Sequence, residues 1–275
     1  MGDSLFGMPL YHDPARATLG RPAEIASQPA ATWLGSWSGD VKTAANKIVS
    51  GATASGSLPT LVAYNIPLRD CGSYSAGGAS SDENYRLWIR QLASGIGQRR
   101  AIVILEPDAL AQITCLGASA QTARYANLAD AVEVLTSQTK AFVYIDGGHS
   151  AWVDAATMAS RLQKANVASA RGFALNVSNF QTTANSVAYG NQLNALLNKH
   201  YVIDTSRNGR GATDEWCNPR GRGLGKKPTT LASGSLDAYL WIKNPGESDG
   251  TCGGGPAAGE WWESYAQELI ENAQY

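Results

Sequence analysis

Ala101-Ile-Val-Ile-Leu-Glu-Pro-Asp108 sets an unbroken apolar run directly before a Glu-Pro-Asp tripeptide. A short run of this kind, β-branched at its centre, reads as a strand buried on both faces, as in a parallel sheet. The arrangement recurs along the chain. Leu61-Val-Ala-Tyr64 leads to Arg69-Asp70-Cys71, and Ala141-Phe-Val-Tyr-Ile145 leads to Asp146-Gly-Gly-His149. Ala238-Tyr-Leu-Trp-Ile242 leads through Lys243 to Glu247-Ser-Asp249. Parallel strands share one direction, so their C-terminal ends form one rim and the acids that follow them face a common cleft.

Further strand-like runs near Thr32, Gly172 and Tyr201 bring the count to about seven, spaced by the roughly 30 to 40 residues of a βα unit. The intervals carry helical periodicity. Val41, Ala45 and Ile48 form one stripe, Tyr85, Trp88, Ile89 and Leu92 a second, and Leu128, Val132 and Leu135 a third. Trp262, Tyr265, Ala266, Leu269 and Ile270 share a face near the C-terminus. Strand and helix alternate throughout, which predicts an α/β fold with a parallel sheet curled into a closed or nearly closed (β/α) barrel; an open doubly wound sheet is the alternative. No linker or repeat interrupts the rhythm. The 275 residues are read as a single domain spanning 1–275.

Composition narrows the function. A net charge of −1 without any Lys/Arg block excludes the basic footprint of a nucleic-acid binder. No apolar stretch approaches the roughly 20 residues that span a bilayer, and Met1 to Leu10 lacks the regions of a signal peptide. The start at Met1 is equally compatible with a boundary that replaces a removed signal. The four cysteines, Cys71, Cys115, Cys217 and Cys252, match no zinc spacing. Two disulfides in a secreted protein is the preferred reading, against four reduced thiols in a cytosolic one. Local order favours Cys71 with Cys115 and Cys217 with Cys252, each pair stapling loops that follow neighbouring acid-bearing strands. Nothing suggests an oligomer, so a monomer is expected.

Several chemistries lack their residues. The Gly-rich stretches Gly72 to Ser81, Gly221 to Lys227 and Gly253 to Gly259 have no phosphate-cradling spacing. Both near matches to a serine-nucleophile elbow, around Ser75 and around Ser150, miss a glycine. His12, His149 and His200 show no paired ligand spacing, so neither a metal nor another cofactor is expected.

The acids are ambiguous one at a time. Asp108 closes the most apolar run, where burial and neighbouring acids raise a carboxyl pKa toward what a general acid needs; it could equally cap a helix starting at Ala109. Asp70 beside Arg69 could be a loop ion pair. Asp249 in Gly-Glu-Ser-Asp-Gly and Asp146 before two glycines suit ordinary turns. Their shared place after strands is what points to chemistry. Eight tryptophans add a substrate class, because Trp33 and Trp37, Trp152 and Trp216 fall in presumed loops, where indoles can stack on the C–H faces of sugars. Trp88 and Trp262, on helical stripes, read as core. Acids with loop tryptophans suggest a glycoside hydrolase.

Seven ordered motifs carry a closer likeness: Tyr64-Asn-Ile-Pro-Leu-Arg-Asp-Cys-Gly72, Leu105-Glu-Pro-Asp-Ala-Leu110, Tyr144-Ile-Asp-Gly-Gly-His149, Asn176-Val-Ser-Asn179, Ile203-Asp-Thr-Ser-Arg-Asn-Gly209, Glu215-Trp-Cys-Asn-Pro219 and Trp241-Ile-Lys-Asn-Pro-Gly-Glu-Ser-Asp-Gly250. From about Phe6 onward the chain resembles the family 6 glycoside hydrolases, the inverting cellulases. The resemblance implies a distorted parallel barrel of fewer than eight strands. It also implies roles. Asp108 matches the general acid; Asp70 matches the acid that supports the raised pKa of Asp108 and removes a proton from the attacking water. Asp249 matches the other carboxylate considered as base, ranked below Asp70. Tyr64 matches a residue that favours distortion of the sugar, and Ser75 a loop serine tied to the catalytic water. Trp152, Trp216, Asn179, Lys243 and Glu247 match substrate-binding positions, joined by Trp33, Asp146 and His149.

Cellulose and cello-oligosaccharides are the implied partners. Short loops after Asp70 and between Cys217 and Cys252, with Ala155 and Ala156 where a further tryptophan would stand, favour an open cleft and endo action over an exo-acting cellobiohydrolase. A carbohydrate-binding protein without activity could use the same tryptophans, but would not need the three acids together.

Overall fold

The computed structural model describes residues 5–275. One sheet organises them. Its strands are β1 (Thr32–Leu34), β2 (Thr60–Ala63), β3 (Ile102–Leu105), β4 (Phe142–Asp146), β5 (Gly172–Leu175), β6 (His200–Asp204), β7 (Thr229–Thr230) and β8 (Leu236–Leu240). They lie in the order β1-β2-β3-β4-β5-β6-β8-β7, and every pair is parallel except the last. The sheet curls until its ends meet. There the Ala31 N–H donates to the Trp241 carbonyl at 2.9 Å and the Trp33 indole to the Ile242 carbonyl at 2.8 Å. A backbone hydrogen bond and an indole contact thus stand where a ladder would complete the barrel.

The seven apolar runs are the seven parallel strands. The expected count of about seven is exceeded by β7, whose Thr229 and Thr230 pair with Tyr239 and Ala238. Two threonines carry no periodicity, which is why the sequence leaves this strand invisible.

Burial on both faces follows the alternation of a strand. Ile102 and Ile104 of β3 join Val62, Tyr144, Val202 and Leu240 in the barrel interior. Val103 and Leu105 point outward, against the helices, with Leu61, Val143, Phe173 and Ile203. The helices are α1 (Ala23–Ala26), α2 (Val41–Ala54), α3 (Asp82–Ile96), α4 (Ala118–Gln138), α5 (Ala155–Lys164), α6 (Thr183–Leu197) and α7 (Glu263–Glu271). Four begin with a side-chain cap, from Asp40 to Thr43 N–H, Ser81 to Asn84 N–H, Asp154 to Thr157 N–H and Thr182 to Asn185 N–H. On α2 the buried stripe is Val41, Ala45, Val49 and Ala52, so Ile48 sits at its margin rather than on it.

The disulfides join Cys71 to Cys115 and Cys217 to Cys252, as local order suggested. Each staples loops that leave the C-terminal ends of strands.

A charge cluster fixes β8 against its neighbours. Asp237, fully buried, accepts from Arg171 Nε at 2.9 Å and Nη2 at 3.0 Å, from the Tyr144 hydroxyl, and lies 2.9 Å from His200 Nδ1. Removing the carboxylate strands a cation and a buried hydroxyl. Asp237→Ala is therefore expected to destabilise the fold by about 3 kcal/mol, read as a lowered midpoint in denaturant unfolding. An unchanged midpoint would show the cluster to be dispensable.

Candidate active site

The loops leaving the strands enclose a cavity of about 1080 Å³. Its volume lies just above the range of about 300 to 1,000 Å³ usual for small-molecule pockets, so it has room for an oligomer. Buried carboxylates behind its wall hold the loops that form it. Glu106, immediately after β3, accepts the Asn65 and Ile66 N–H groups of the loop after β2, each at 3.0 Å. Asp146, at the end of β4, accepts the Asp108 N–H at 3.0 Å and the Gly148 N–H at 3.2 Å. Asp204, at the end of β6, accepts Ser178 N–H at 3.0 Å and Lys243 N–H at 2.9 Å, from the loops of the strands on either side. These loops need such anchors because non-glycine residues in them adopt left-handed backbone: Leu68, Asp70, Cys71, Glu106, Asp108, Asn176 and Ser178 all have φ between 50° and 69°.

Asp108 projects from this rim, partly buried. Burial, then the negative charges of Asp146, Asp70 and Asp249, push its pKa well above the ordinary carboxyl range. The helix-cap reading does not hold. Its backbone carbonyl accepts from Gln112 N–H in a turn, and the next α-helix after it is α4, which starts at Ala118.

Asp70 is oriented by neutral donors: Ser75 N–H at 2.8 Å on one oxygen and the Gln112 side-chain amide at 3.1 Å on the other. Arg69 is not its partner. The buried Arg69 guanidinium donates to the carbonyls of Ser75 at 2.7 Å, Tyr64 at 2.8 Å and Ala76 at 3.2 Å, which ties the loop down. Tyr64 beneath it is buried edge-on to Trp33, with ring centroids 5.2 Å apart. Burial and the charges of Asp108 and Asp70 keep its hydroxyl protonated.

Asp249 has the opposite environment to Asp108. Arg207 Nη1 lies 2.9 Å from one oxygen, Lys243 Nζ 3.4 Å from the other, and the Asn218 N–H donates at 3.1 Å. Burial alone would raise its pKa, but the two cations outweigh burial and leave it below the ordinary range. Asp249 is therefore a fixed anion and a weak base.

Aromatic and polar side chains surround these acids. Trp33, Trp152, Trp216, Asn179, Lys243, Glu247 and His149 line the cavity together with Tyr64, Asp70, Ser75, Asp108 and Asp249. Glu247 pairs with Arg21 at 3.0 Å, and Asn179 donates to the Val177 carbonyl at 2.9 Å. His149 packs against Trp152 at 5.4 Å, and burial lowers its pKa to about 4. Asp146 is the exception among the residues named from sequence. At 1 % exposure it lies behind Asp108 and cannot touch a ligand; it holds the acid's backbone instead.

Other participants escaped the sequence reading. Asp204 ends the run Tyr201-Val-Ile-Asp204 and obeys the same strand-then-acid rule, so the signal was present. Arg207 lies in the motif Ile203–Gly209, but nothing there gives it a role, because arginine is ordinarily exposed and this one is fully buried. Glu106 was legible as an acid, but not as the residue that turns inward to hold the neighbouring loop.

Paired carboxylates at the C-terminal mouth of a parallel barrel, in a cavity lined by indoles, are an arrangement suited to a glycosidase. The profile of glycosyl hydrolases family 6 matches residues 11–273, and the chain belongs to that family. Endoglucanase A of Cellulomonas fimi is 50% identical over 258 residues, which cover 92% of this chain and 56% of that protein. Endoglucanase 1 of Streptomyces halstedii is 47% identical, over 90% of this chain and 80% of that one. The chain thus spans little more than half of the first relative. Among solved structures, the endoglucanase Cel6 from Mycobacterium tuberculosis, in complex with methyl-cellobiosyl-4-deoxy-4-thio-β-D-cellobioside, superposes with a TM-score of 0.93 at 45% identity, covering 97% of each chain.

The desolvated His149 yields a direct check. Its ring resonances in an NMR titration are expected to stay at their neutral-form positions from pH 8 down to about pH 5, whereas an unperturbed imidazole changes near pH 6.5. A midpoint above pH 6 would contradict the burial that sets it.

Proposed function

We propose that this protein hydrolyses internal β-1,4-glucosidic bonds of cellulose with inversion at the anomeric carbon. The observation that carries the proposal is the place of Asp108 on the wall of a cavity lined by tryptophans, where burial and the negative charges of Asp146, Asp70 and Asp249 raise its pKa well above the ordinary carboxyl range. Family membership and the names of the relatives, endoglucanases of bacteria, agree with it.

In this reading the glucan chain lies along the cavity with one ring over Tyr64. Asp108 gives its proton to the glycosidic oxygen as the bond to the anomeric carbon breaks. A water attacks from the opposite face, and its proton passes toward Asp70, which the Ser75 N–H and the Gln112 side-chain amide hold in place. Asp249, held by Arg207 and Lys243, supplies fixed negative charge to the cationic transition state rather than accepting a proton. Inversion requires space for the water, so acid and base carboxyls about 6.5 to 9.5 Å apart are expected, against about 5 to 5.5 Å in retaining enzymes. The two disulfides suit export, and we place the protein outside the cell, acting on polymer as a monomer.

Asp108→Asn is expected to lose activity on soluble cellulose by roughly 10² to 10⁴-fold, with viscosity falling ahead of reducing-end release in the unmodified protein. Slow viscosity loss relative to reducing ends would contradict endo action, and full activity of the variant would remove Asp108 from the acid role. The first product resolved by NMR should be the α-anomer; the β-anomer would contradict inversion. The pH profile follows from the charge pairing. Ionised Asp146 raises the proton affinity of Asp108, so Asp146→Asn should let Asp108 ionise earlier and move the alkaline limb of kcat/KM to lower pH. A limb that stays in place or moves upward would contradict the coupling.

A further inference from the structure

Eight tryptophans stand in the chain, and only three are exposed among the described residues: Trp37 at 55 %, Trp152 at 39 % and Trp216 at 57 %. All three line the same cavity. A lone exposed indole is ordinary on a protein surface, but exposure confined to one cavity marks a surface that a ligand covers. Trp152 and Trp216 have roles by resemblance. Trp37 has none.

The structure builds Trp37 as a rigid platform. It sits in the turn Ser36–Ser38 after β1, closed by the Gly35 N–H donating to Ser38 Oγ at 3.0 Å. The benzo edge of its ring rests on Gly35: a Cβ there would meet Cζ3 and Cη2 of Trp37 at 2.5 Å and the Tyr64 carbonyl at 2.8 Å. The Arg69 guanidinium lies 5.0 Å from the ring centroid and 4.7 Å from that of Tyr64, itself fixed by three carbonyls. Indole, guanidinium and phenol therefore lie side by side, with much of the indole left open to the cavity. An aromatic plane held this firmly loses little entropy when a flat apolar surface settles on it. The C–H face of a pyranose ring is such a surface.

We propose that Trp37 is a glucosyl-binding platform of the cleft, on the wall that carries Trp33 and Tyr64. The proposal rests on the cellulase reading of the site. Through Arg69 the same indole touches the guanidinium that holds the Ser75 and Ala76 carbonyls, so a ring stacked on Trp37 also presses on the anchor of the loop that orients Asp70.

The test uses the Asp108→Asn protein, which keeps the cleft without turnover, and cellohexaose as probe, titrated by calorimetry with and without Trp37→Ala. Dissociation constants are expected to rise roughly tenfold on losing one stacked aromatic, and Trp37→Phe should recover part of the difference. Equal affinity with and without the indole would overturn the platform. So would a loss of kcat in the otherwise unmodified enzyme, equal on all substrates, with the dissociation constant unchanged; that result would make Trp37 a prop for Arg69 alone. Should Trp37→Ala fail to fold, the indole N–H resonance of Trp37, assigned with Trp37→Phe, must shift saturably with cellohexaose, and an unmoved resonance overturns the proposal. Absence of any cellohexaose binding to the Asp108→Asn protein would instead count against the cellulase reading itself.

Discussion

A carboxylate at the end of one strand accepts the amide N–H groups of the loop that leaves the strand beside it, and the whole rim of the barrel depends on this bond. Glu106 holds the loop after β2, Asp146 the loop after β3, and Asp204 the loops after β5 and β8. Burial raises the pKa of all three, Glu106 and Asp146 to about 7, and the N–H groups they accept pull it back toward the ionised form. A left-handed non-glycine residue costs about 1 to 3 kcal/mol, and a hydrogen bond to a charged group contributes about 1.5 to 3 kcal/mol. Neutral bonds, at about 1 kcal/mol each, would not hold Asp70, Cys71, Glu106, Asp108, Asn176 and Ser178 in that conformation together. The loops are strained, and the buried acids keep them so.

The same acids set the electrostatics above them. Asp108 is held by its backbone on Asp146, and burial and further negative charge push its pKa up. Asp249 is just as enclosed but lies between Arg207 and Lys243 and loses its proton readily. Identical side chains thus take opposite protonation states because one is surrounded by anions and the other by cations. Asp70 is positioned differently from both, by a side-chain amide and a backbone N–H.

Strand positions and the acids after them were legible because a strand buried on both faces must be a continuous apolar run, and its end must be marked by the first polar residue. What that polar residue then does was not legible. Asp108 and Asp146 each follow such a run, yet one turns into the cavity and the other turns behind it, a choice made by backbone dihedrals at the rim rather than by residue type. Arg207 could not be paired with Asp249 from spacing alone, since the loops after β6 and β8 bring them together, and spacing does not show that the loop after β8 folds Lys243 back onto Asp249. On α2 the stripe runs through Val49 rather than Ile48, because the helix offers two neighbouring apolar residues and packing selects between them. Trp37 read as one more loop tryptophan; only its stack on Arg69 sets it apart.

The central claim is that burial and neighbouring anions keep Asp108 protonated while Asp249 remains ionised. Carboxyl-carbon NMR on protein labelled at aspartate, with Asp108 and Asp249 assigned through their asparagine variants, reads both titrations in one sample. Asp108 is expected to titrate well above the ordinary midpoint of about 3.9, and Asp249 below it. An Asp108 midpoint at or under the ordinary value, or an Asp249 midpoint above that of Asp108, would contradict the account.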